Sequence, residues 1–493
     1  MTRKPSKVAW VGILVAGLAA PAFGAQANQT EDSDALRQEV SQLRAEIAEL
    51  RQQQQKDSGQ AERRAHEVQA LVHDLLADAE TRSSFQAQGI TAGHDGNNFF
   101  LGSTDDRFRL HLGGQVQARF MANIRDDTDV EVGIPNGVVN THTVPDDKYA
   151  VGFEVPRVKL NAWGHIASPR LEYSLTLRGD ERVDNADRVY VQEALISYEM
   201  LDGLKLWGGQ TKAPFAREEL IDSSRQLAVE RSLVNQAFTI GAVQGIGVDY
   251  EVYEMVRLSG SFNDGIRSGE PLHRNGAPAA KLGATNNKGF IASRSDFALT
   301  GRVDVKLAGS WDQADEFTAW QGEPMAVFLG GGAHFEKGET GTDADNNDFW
   351  TWTIDGSVKH LGWSAFGSVN HLRTDFAEGD NSEMWGLVAQ GAYNIDDTYE
   401  PFVRWEYLDL STLSTQLGER EDNYLNFITA GLNWYNNRHN AKLTADVVWA
   451  MNAVPESHHL NTSSSDLRLL GLKPDPAGDD DQIALRLQYQ LLF

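Results

Sequence analysis

Basic side chains occupy alternate positions in the segment that begins near residue 106. One face of this segment carries Arg107, Arg109, His111, Gln115, Gln117, Arg119 and Arg125, and the opposite face is apolar. Further along, Arg157 and Lys159 alternate with Val158 and Leu160. A guanidinium group binds phosphate or carboxylate through two hydrogen bonds and stays protonated at physiological pH. The pattern therefore predicts binding of anions along an extended surface.

A second group of basic residues lies in the segment 212–239, which joins two predicted strands. Its cations are Lys212, Arg217, Arg225 and Arg231. Connecting loops are usually polar, yet Phe215, Leu220, Leu227, Leu233 and Phe238 lie here. These apolar residues indicate that the segment folds inward and packs. The candidate anion-binding residues are Arg109, Arg119, Arg125, Arg157, Lys159, Lys212, Arg217, Arg225 and Arg231.

The same cations have a second interpretation, because carboxylates lie near them in the chain. Glu218, Glu219 and Glu230 are in the same segment, and Glu172 and Glu193 share the predicted inner face of two strands. Some arginines would then neutralise these acids and hold the segment in place. From the residues alone both interpretations stay open.

The elements that must position these residues are strands with a period of two. In the last of them Ile483, Leu485, Leu487, Tyr489 and Leu491 alternate with polar residues, which is typical of a strand with one apolar and one wet face. An arginine in mid-bilayer on a lipid-facing side costs about 2–4 kcal/mol. The basic faces therefore point into an aqueous interior, and the apolar faces meet lipid. A large soluble all-β protein such as a propeller is the alternative, but it would not need this alternation.

Sixteen such strands are predicted, an even number, as a closed bacterial barrel requires. They are 106–125, 152–166, 169–179, 188–200, 203–211, 240–253, 255–264, 296–308, 323–335, 349–360, 362–374, 382–395, 398–410, 422–436, 440–452 and 481–493. Short and long connections alternate, as expected for short periplasmic turns and long outer loops. The stretch 309–322 has the weakest pattern and could contain a further strand. The predicted fold is an all-β transmembrane barrel of about sixteen antiparallel strands.

The residues before the barrel divide into three predicted parts. Residues 1–27 have the basic start, apolar run and small-residue cleavage site of a secretory signal peptide. Residues 28–86 are a helical, periplasmic segment, and the a and d positions of a coiled coil are Leu36, Val40, Leu43, Ile47 and Leu50. Residues 87–104 are a linker, and residues 105–493 form the barrel.

Composition excludes several classes of function. The 493 residues contain no cysteine, so thiol catalysis and cysteine metal sites are excluded. The formal charge of −26 argues against nucleic acid as a partner. No Ser, His and Asp set has readable spacing, and the acidic residues of 343–348 are interpreted as a solvated loop. We expect no enzyme activity, no cofactor and no metal.

Four stretches of the chain resemble a known family. GGQTKAPFAREELIDSSRQLAVERS at 208–232 looks like the signature of the phosphate-selective porin O/P family, and EVPRVKL at 154–160, PFVRWEYLD at 401–409 and GLNWYNN at 431–437 extend the match. The terminal Phe493 resembles the assembly signal of outer-membrane barrels. The resemblance implies a homotrimeric porin of the bacterial outer membrane. It also implies that the third loop narrows each pore and that an arginine and lysine ladder conducts anions.

The function expected from these features is passive diffusion of small anions, phosphate first, through a basic pore in the lipid of the outer membrane. A general porin, or one for dicarboxylates and other organic anions, is the alternative in transport. A different alternative is a structural barrel whose periplasmic coiled coil binds peptidoglycan or another periplasmic partner.

Overall fold

The computed structural model describes residues 89–94, 98–125, 129–132, 142–145, 149–180, 188–265, 295–338, 348–375, 381–410, 423–455, 464–474 and 481–493, together with residue 45. The chain divides into two units, Met1–Phe85 and Gln86–Phe493. The predicted signal peptide and coiled coil therefore lie outside the described residues, apart from residue 45.

Twenty strands are present in the described residues. They are β1 (Ile90–His94), β2 (Phe99–Ser103), β3 (Phe108–Arg125), β4 (Asp129–Val132), β5 (His142–Pro145), β6 (Tyr149–Ile166), β7 (Ser168–Asp180), β8 (Arg188–Leu201), β9 (Leu204–Lys212), β10 (Ala242–Val252), β11 (Val256–Asn263), β12 (Ser295–Ala308), β13 (Ala326–Gly338), β14 (Asp348–His360), β15 (Trp363–Asp375), β16 (Ser382–Tyr393), β17 (Tyr399–Asp409), β18 (Tyr424–Asn437), β19 (Ala441–Ala450) and β20 (Gln482–Leu492). The helices are α1 (Arg217–Leu220), α2 (Leu233–Phe238) and α3 (Ser464–Leu470), with 3₁₀ turns at Ser223–Arg225 and Trp311–Asp315.

Sixteen of these strands close into one antiparallel barrel, as the sequence pattern predicts. Each strand from β6 to β20 pairs with its predecessor in the barrel, and β20 returns to pair with β3. This last pairing runs from Gln482 opposite Arg125 to Leu492 opposite Gln115. Closure leaves no free sheet edge along the paired strands, which is the condition for spanning a bilayer with strands.

The two faces of the wall follow the predicted alternation. On β20 the outward side chains Ile483, Leu485 and Tyr489 are exposed, whereas the inward Gln488 and Gln490 are buried. Outward aromatic side chains include Tyr149, Phe153 and Trp363. Apolar groups thus lie on the outer face, where lipid would contact the barrel, and polar groups face the interior.

The segment 87–104, interpreted from sequence as a linker, contains the hairpin of β1 and β2. β2 pairs with β3 from Phe99 opposite Leu112 to Gly102 opposite Arg109. β3 extends past the end of β20, and β2 covers this extension. A strand edge that would otherwise be open is therefore paired.

The least patterned stretch, 309–322, contains no strand. It forms the 3₁₀ turn Trp311–Asp315, which Ser310 and Gln313 close with a capping box. Trp311, Phe317 and Trp320 are buried. Aromatic residues that pack inward at irregular spacing explain why a period of two is weak here.

Candidate functional site: the barrel lumen

Residues 213–241, which we call loop 3, lie against the inner wall of the barrel. Phe215, Leu233 and Phe238 are each 1% exposed. Phe238 packs on Gly386 of β16, where an added Cβ would come within 2.5 Å of its ring. Ser232 begins α2 by accepting a hydrogen bond from the amide of Asn235. Of the five apolar residues that predicted inward folding, Phe215, Leu227, Leu233 and Phe238 are buried, whereas Leu220 is exposed.

Two strand arginines hold loop 3 through one carboxylate. Arg119 Nη2 lies 2.9 Å from Glu230 Oε2, and Arg157 Nη1 lies 2.9 Å from the same oxygen. Arg157 Nη2 contacts the other oxygen of Glu230, and Arg119 also pairs with Glu154 at 3.1 Å. All four groups are buried. Burial alone would raise the pKa of the Glu230 carboxyl, but Arg157 and Arg119 lower this pKa well below its usual range.

A second attachment joins the start of loop 3 to β12 and β14. Arg217 Nη2 lies 3.0 Å from Asp304 Oδ1, and its Nε lies 3.0 Å from Asp355 Oδ1. Arg302 Nη1 donates to the carbonyl oxygen of Phe215 at 2.6 Å and pairs with Asp355 at 2.8 Å. These contacts fix the loop where it enters the lumen.

Two glycines of β13, Gly330 and Gly332, make room for this attachment, whereas Gly331 between them does not border it. A Cβ on Gly332 would lie 2.7 Å from the Phe215 carbonyl oxygen, whereas one on Gly331 would lie 3.5 Å from its nearest atom. We expect Gly332→Ala to displace the loop and to destabilise the barrel by about 1–3 kcal/mol, the usual cost of overpacking. The matched control is Gly331→Ala. Heat-modified mobility of the folded barrel measures both, and equal stability of the two variants would contradict this role.

Two further attachments were missed by the sequence analysis. Glu406 on β17 accepts hydrogen bonds from the amide of Leu233, at the start of α2, at 2.6 Å. Asp446 on β19 accepts from the amide of Val229 at 2.9 Å and pairs with Arg486 of β20 at 2.7 Å. Their signal was available, because charged residues stand at inward positions of predicted strands.

The connection between β19 and β20 also enters the lumen, which the sequence analysis did not predict. Leu467 and Leu470 of α3 are buried. Arg468 Nη1 lies 2.6 Å from Glu154 Oε2, and Arg119 Nη1 donates to the carbonyl oxygen of Leu469 at 2.8 Å. This connection therefore packs beside loop 3.

Five of the nine predicted anion-binding residues are buried in contacts with loop 3 or within it. They are Arg119, Arg157, Lys159, Arg217 and Arg231. Lys159 pairs with Asp222 at 3.1 Å, and Arg231 donates to the carbonyl oxygen of Ile221 at 2.8 Å. The structure thus brings these five together as supports of the loop, the second interpretation given above. Their direct contact with an anion stays a prediction.

Of the other four predicted residues, Lys212 and Arg225 border one cavity, and Arg109 and Arg125 lie elsewhere, on β3. Arg125 is buried and donates to the carbonyl oxygen of Pro474 at 2.9 Å. Arg109 lies 4.6 Å from the ring centre of Phe100. Lys212 is half-buried and donates to the carbonyl oxygen of Glu219. Arg225 alone among the nine is exposed.

Two adjacent cavities lie between loop 3 and the barrel wall, the first against β3, β6–β9 and β20 and the second against β8–β12. The first, which we call the basic cavity, has a volume of about 620 Å³, and its lining includes Lys159, Lys212 and Arg225 with Glu193 and Asp222. The second, the acidic cavity, has a volume of about 490 Å³. The charged residues of its lining are Lys205, Arg217, Arg257 and Arg302 with Glu199, Asp249, Glu251, Asp304 and Asp315. Leu220 of loop 3 borders both cavities.

No group of His, Asp or Glu residues suited to a metal ion is found in the described part of the chain. Among the helices described, none is long and apolar enough to cross a membrane.

A closed sixteen-strand barrel with apolar groups outside and polar groups inside defines a porin-like protein of the bacterial outer membrane. The chain belongs to the family described as phosphate-selective porin O and P, whose model matches residues 137–491. Family and fold both point to a channel rather than an enzyme.

The chain is similar to several solved porin structures. The anion-selective porin from Comamonas acidovorans has a TM-score of 0.48 and 11% identity, and the match covers 78% of this chain and 99% of that one. OmpF of Salmonella typhi has a TM-score of 0.47 and 12% identity, with 81% and 100% covered. The outer membrane channel DcaP of Acinetobacter baumannii has a TM-score of 0.46 and 12% identity, with 78% and 97% covered. No curated protein sequence matches the chain.

Proposed function

We propose that this porin conducts small anions by passive diffusion, with phosphate as the first candidate solute. The observation that carries the proposal is the basic cavity beside loop 3, where Arg225 is exposed and Lys212 is half-buried. Cations that a solute can reach attract anions, whereas cations neutralised in buried pairs do not. Arg225 is therefore the first proposed contact for anions, and the partly exposed Lys212, whose ammonium group also lies 4.0 Å from the Glu219 carboxylate, is the second.

Loop 3 supplies the proposed narrowing of the channel. It fills the lumen along β13–β20, as its contacts with Gly386, Glu406 and Asp446 indicate. Solutes then pass on the side of β3 and β6–β12, along which the two cavities lie. Passage requires sites strong enough to draw an ion from water and weak enough to release it. One exposed arginine beside a half-buried lysine meets that requirement better than a cluster of unpaired guanidinium groups would.

Conductance in planar bilayers tests the proposal. In a salt gradient we expect a reversal potential whose sign shows that chloride is more permeant than the cation. We also expect added phosphate to reduce the chloride current. Block by succinate at lower concentration than phosphate would favour the organic-anion alternative. A cation-selective reversal potential would exclude an anion channel.

The assembly and the N-terminal segment belong to the same proposal. A homotrimer is part of the proposal, and the heptad pattern of residues 34–56 favours a coiled coil, for which peptidoglycan or another periplasmic partner is proposed. Cross-linking of the purified barrel with and without residues 28–86 tests both. A monomer in each preparation would exclude the trimer.

A further inference from the structure

The periplasmic turn between β12 and β13, residues 309–325, reaches across the lumen. At one end Trp311 Nε1 donates to Glu251 Oε1 of β10 at 3.0 Å. The guanidinium carbon of Arg257, on β11, lies 4.2 Å from the centre of the Trp311 ring. This end of the β12–β13 turn is therefore attached to the wall at β10 and β11.

The other end of the turn is attached to a distant wall. Trp320 packs edge-on against Tyr435 of β18, with ring centres 4.9 Å apart, and Thr318 Oγ1 donates to Glu400 Oε2 of β17 at 3.1 Å. Along the closed sheet, β18 is eight strands from β10 in either direction. The two attachments are thus on opposite sides of a sixteen-strand barrel, and the turn crosses its periplasmic mouth.

The crossing segment is held firmly. Lys359 Nζ donates to the carbonyl oxygen of Thr318 at 2.8 Å, and the Gln321 amide donates to Asp397 Oδ1 at 2.8 Å. Thr318 has no exposed surface, and Trp320 is 2% exposed. A segment with these contacts is a fixed part of the pore exit.

The turn brings only negative charge to the exit. Residues 309–325 contain Asp312, Asp315, Glu316 and Glu323 and no lysine or arginine. Glu316 accepts a hydrogen bond from His439 Nε2 at 2.8 Å and another from Trp320 Nε1 at 3.0 Å. Asp312 and Asp315 are exposed, and Asp315 borders the acidic cavity.

The cations of the acidic cavity are already paired. Lys205 pairs with Glu172, and Arg257 pairs with Glu251 at 3.4 Å. Arg217 and Arg302 share Asp304 and Asp355. Among the residues that the structure describes, no lysine or arginine lies within ion-pair distance of Asp249 or Asp315. This cavity therefore presents a surplus of carboxylate, whereas the adjacent basic cavity presents Arg225.

We propose that the β12–β13 turn is a second selectivity element, and that the paired cavities favour solutes carrying both a carboxylate and an ammonium group over anions of the same skeleton without the ammonium. The carboxylate meets Lys212 and Arg225, and the ammonium group meets Asp249 and Asp315. This inference rests on the proposed function, whose solute class it narrows to amino-acid-like organic anions.

Liposome swelling with glutamate and glutarate tests the inference, because the two solutes differ by one ammonium group. We expect glutamate to enter about fivefold faster, the factor for one pair of unit charges 4 Å apart in water. In D249N/D315N we expect the two rates to become nearly equal. D202N is the matched control, because Asp202 lies in an exposed periplasmic turn and pairs with Arg170 at the surface.

The outcomes separate this inference from the proposed function. Equal rates for both solutes in the unmodified protein, or a glutamate preference that D249N/D315N leaves intact, would overturn the inference alone. Exclusion of both solutes and of phosphate, with cations conducted, would overturn the proposed function.

A second variant tests the turn without changing charge. Trp320→Ala removes its attachment to Tyr435 and His439, so we expect a larger conductance and a smaller glutamate preference. Trp363→Ala is the control, because Trp363 is exposed on the outer face at the same end of the barrel. Unchanged conductance and unchanged preference in Trp320→Ala would contradict a role for the turn.

Discussion

Replacing Glu230 by glutamine is expected to detach loop 3 from the wall and to raise the single-channel conductance. The substitution leaves Arg157 without its carboxylate and leaves Arg119 with Glu154 alone. Both guanidinium groups are buried. Removing one partner of a buried ion pair costs about 3–5 kcal/mol, because the remaining charge is left uncompensated. The temperature at which the folded barrel loses its compact mobility should therefore fall.

Glu199→Gln is the control for this experiment. Replacing Glu199 removes the same negative charge from the lumen. Among the described contacts, however, the Glu199 carboxylate accepts only one long hydrogen bond, 3.4 Å from the amide of Gly203. We expect the thermal stability of the Glu199→Gln variant to match that of the unmodified protein. If Glu230→Gln were as stable as Glu199→Gln and conducted the same current, the buried cluster would not be what holds loop 3.

Replacing Arg225 by glutamate is expected to give the largest change in ion selectivity. Arg225 is exposed at the end of the 3₁₀ turn Ser223–Arg225, and its position borders the basic cavity. One unit charge at 4 Å from a permeating ion contributes about 1 kcal/mol in water. A change of two charge units should therefore lower the ratio of anion to cation permeability by roughly tenfold or more. The reversal potential in a salt gradient measures this ratio.

Two further variants at the same position identify the cause. Arg225→Lys keeps the charge and should keep the reversal potential, whereas Arg225→Gln should give an intermediate value. Because Arg225 is exposed, none of the three should lower the thermal stability of the barrel. Identical reversal potentials for the lysine and glutamate variants would show that ions do not pass near this side chain.

The barrel itself could be predicted from sequence, because lipid on one side and water on the other impose a period of two on every strand. The sixteen strands and the direction of their apolar faces follow from that rule and from the cost of placing arginine in lipid. The inward packing of loop 3 was equally accessible, since Phe215, Leu233 and Phe238 would be misplaced in water.

The partners of the charged residues could not be predicted. Asp446 meets Arg486 because the two residues are paired in register on β19 and β20, and register follows from closure of the whole sheet. The fate of Arg119 and Arg157 depends on where loop 3 places Glu230. An arginine on an inward face is compatible with an open pore and with a buried pair, and the period of two does not distinguish them.

The β12–β13 turn and α3 carried a signal that the sequence analysis did not use. Trp311, Phe317 and Trp320 interrupt the period of two, as Leu467 and Leu470 do in the connection before β20. In both segments, as in loop 3, apolar residues at irregular spacing predict inward packing. Whether such a segment enters the lumen depends on the space that the other loops leave, and that space is a property of the assembled barrel.

The position of the aqueous path is tested most directly by thiol labelling, because the natural chain has no cysteine. Ser174→Cys borders the basic cavity and Ser259→Cys borders the acidic cavity, whereas Thr429→Cys lies on the inner face of β18 with no exposed surface. We predict that a charged methanethiosulfonate reagent modifies the first two and reduces their current, and leaves the third unmodified. Rapid modification at residue 429 with none at residues 174 and 259 would place the path on the opposite side of loop 3 and would contradict the account.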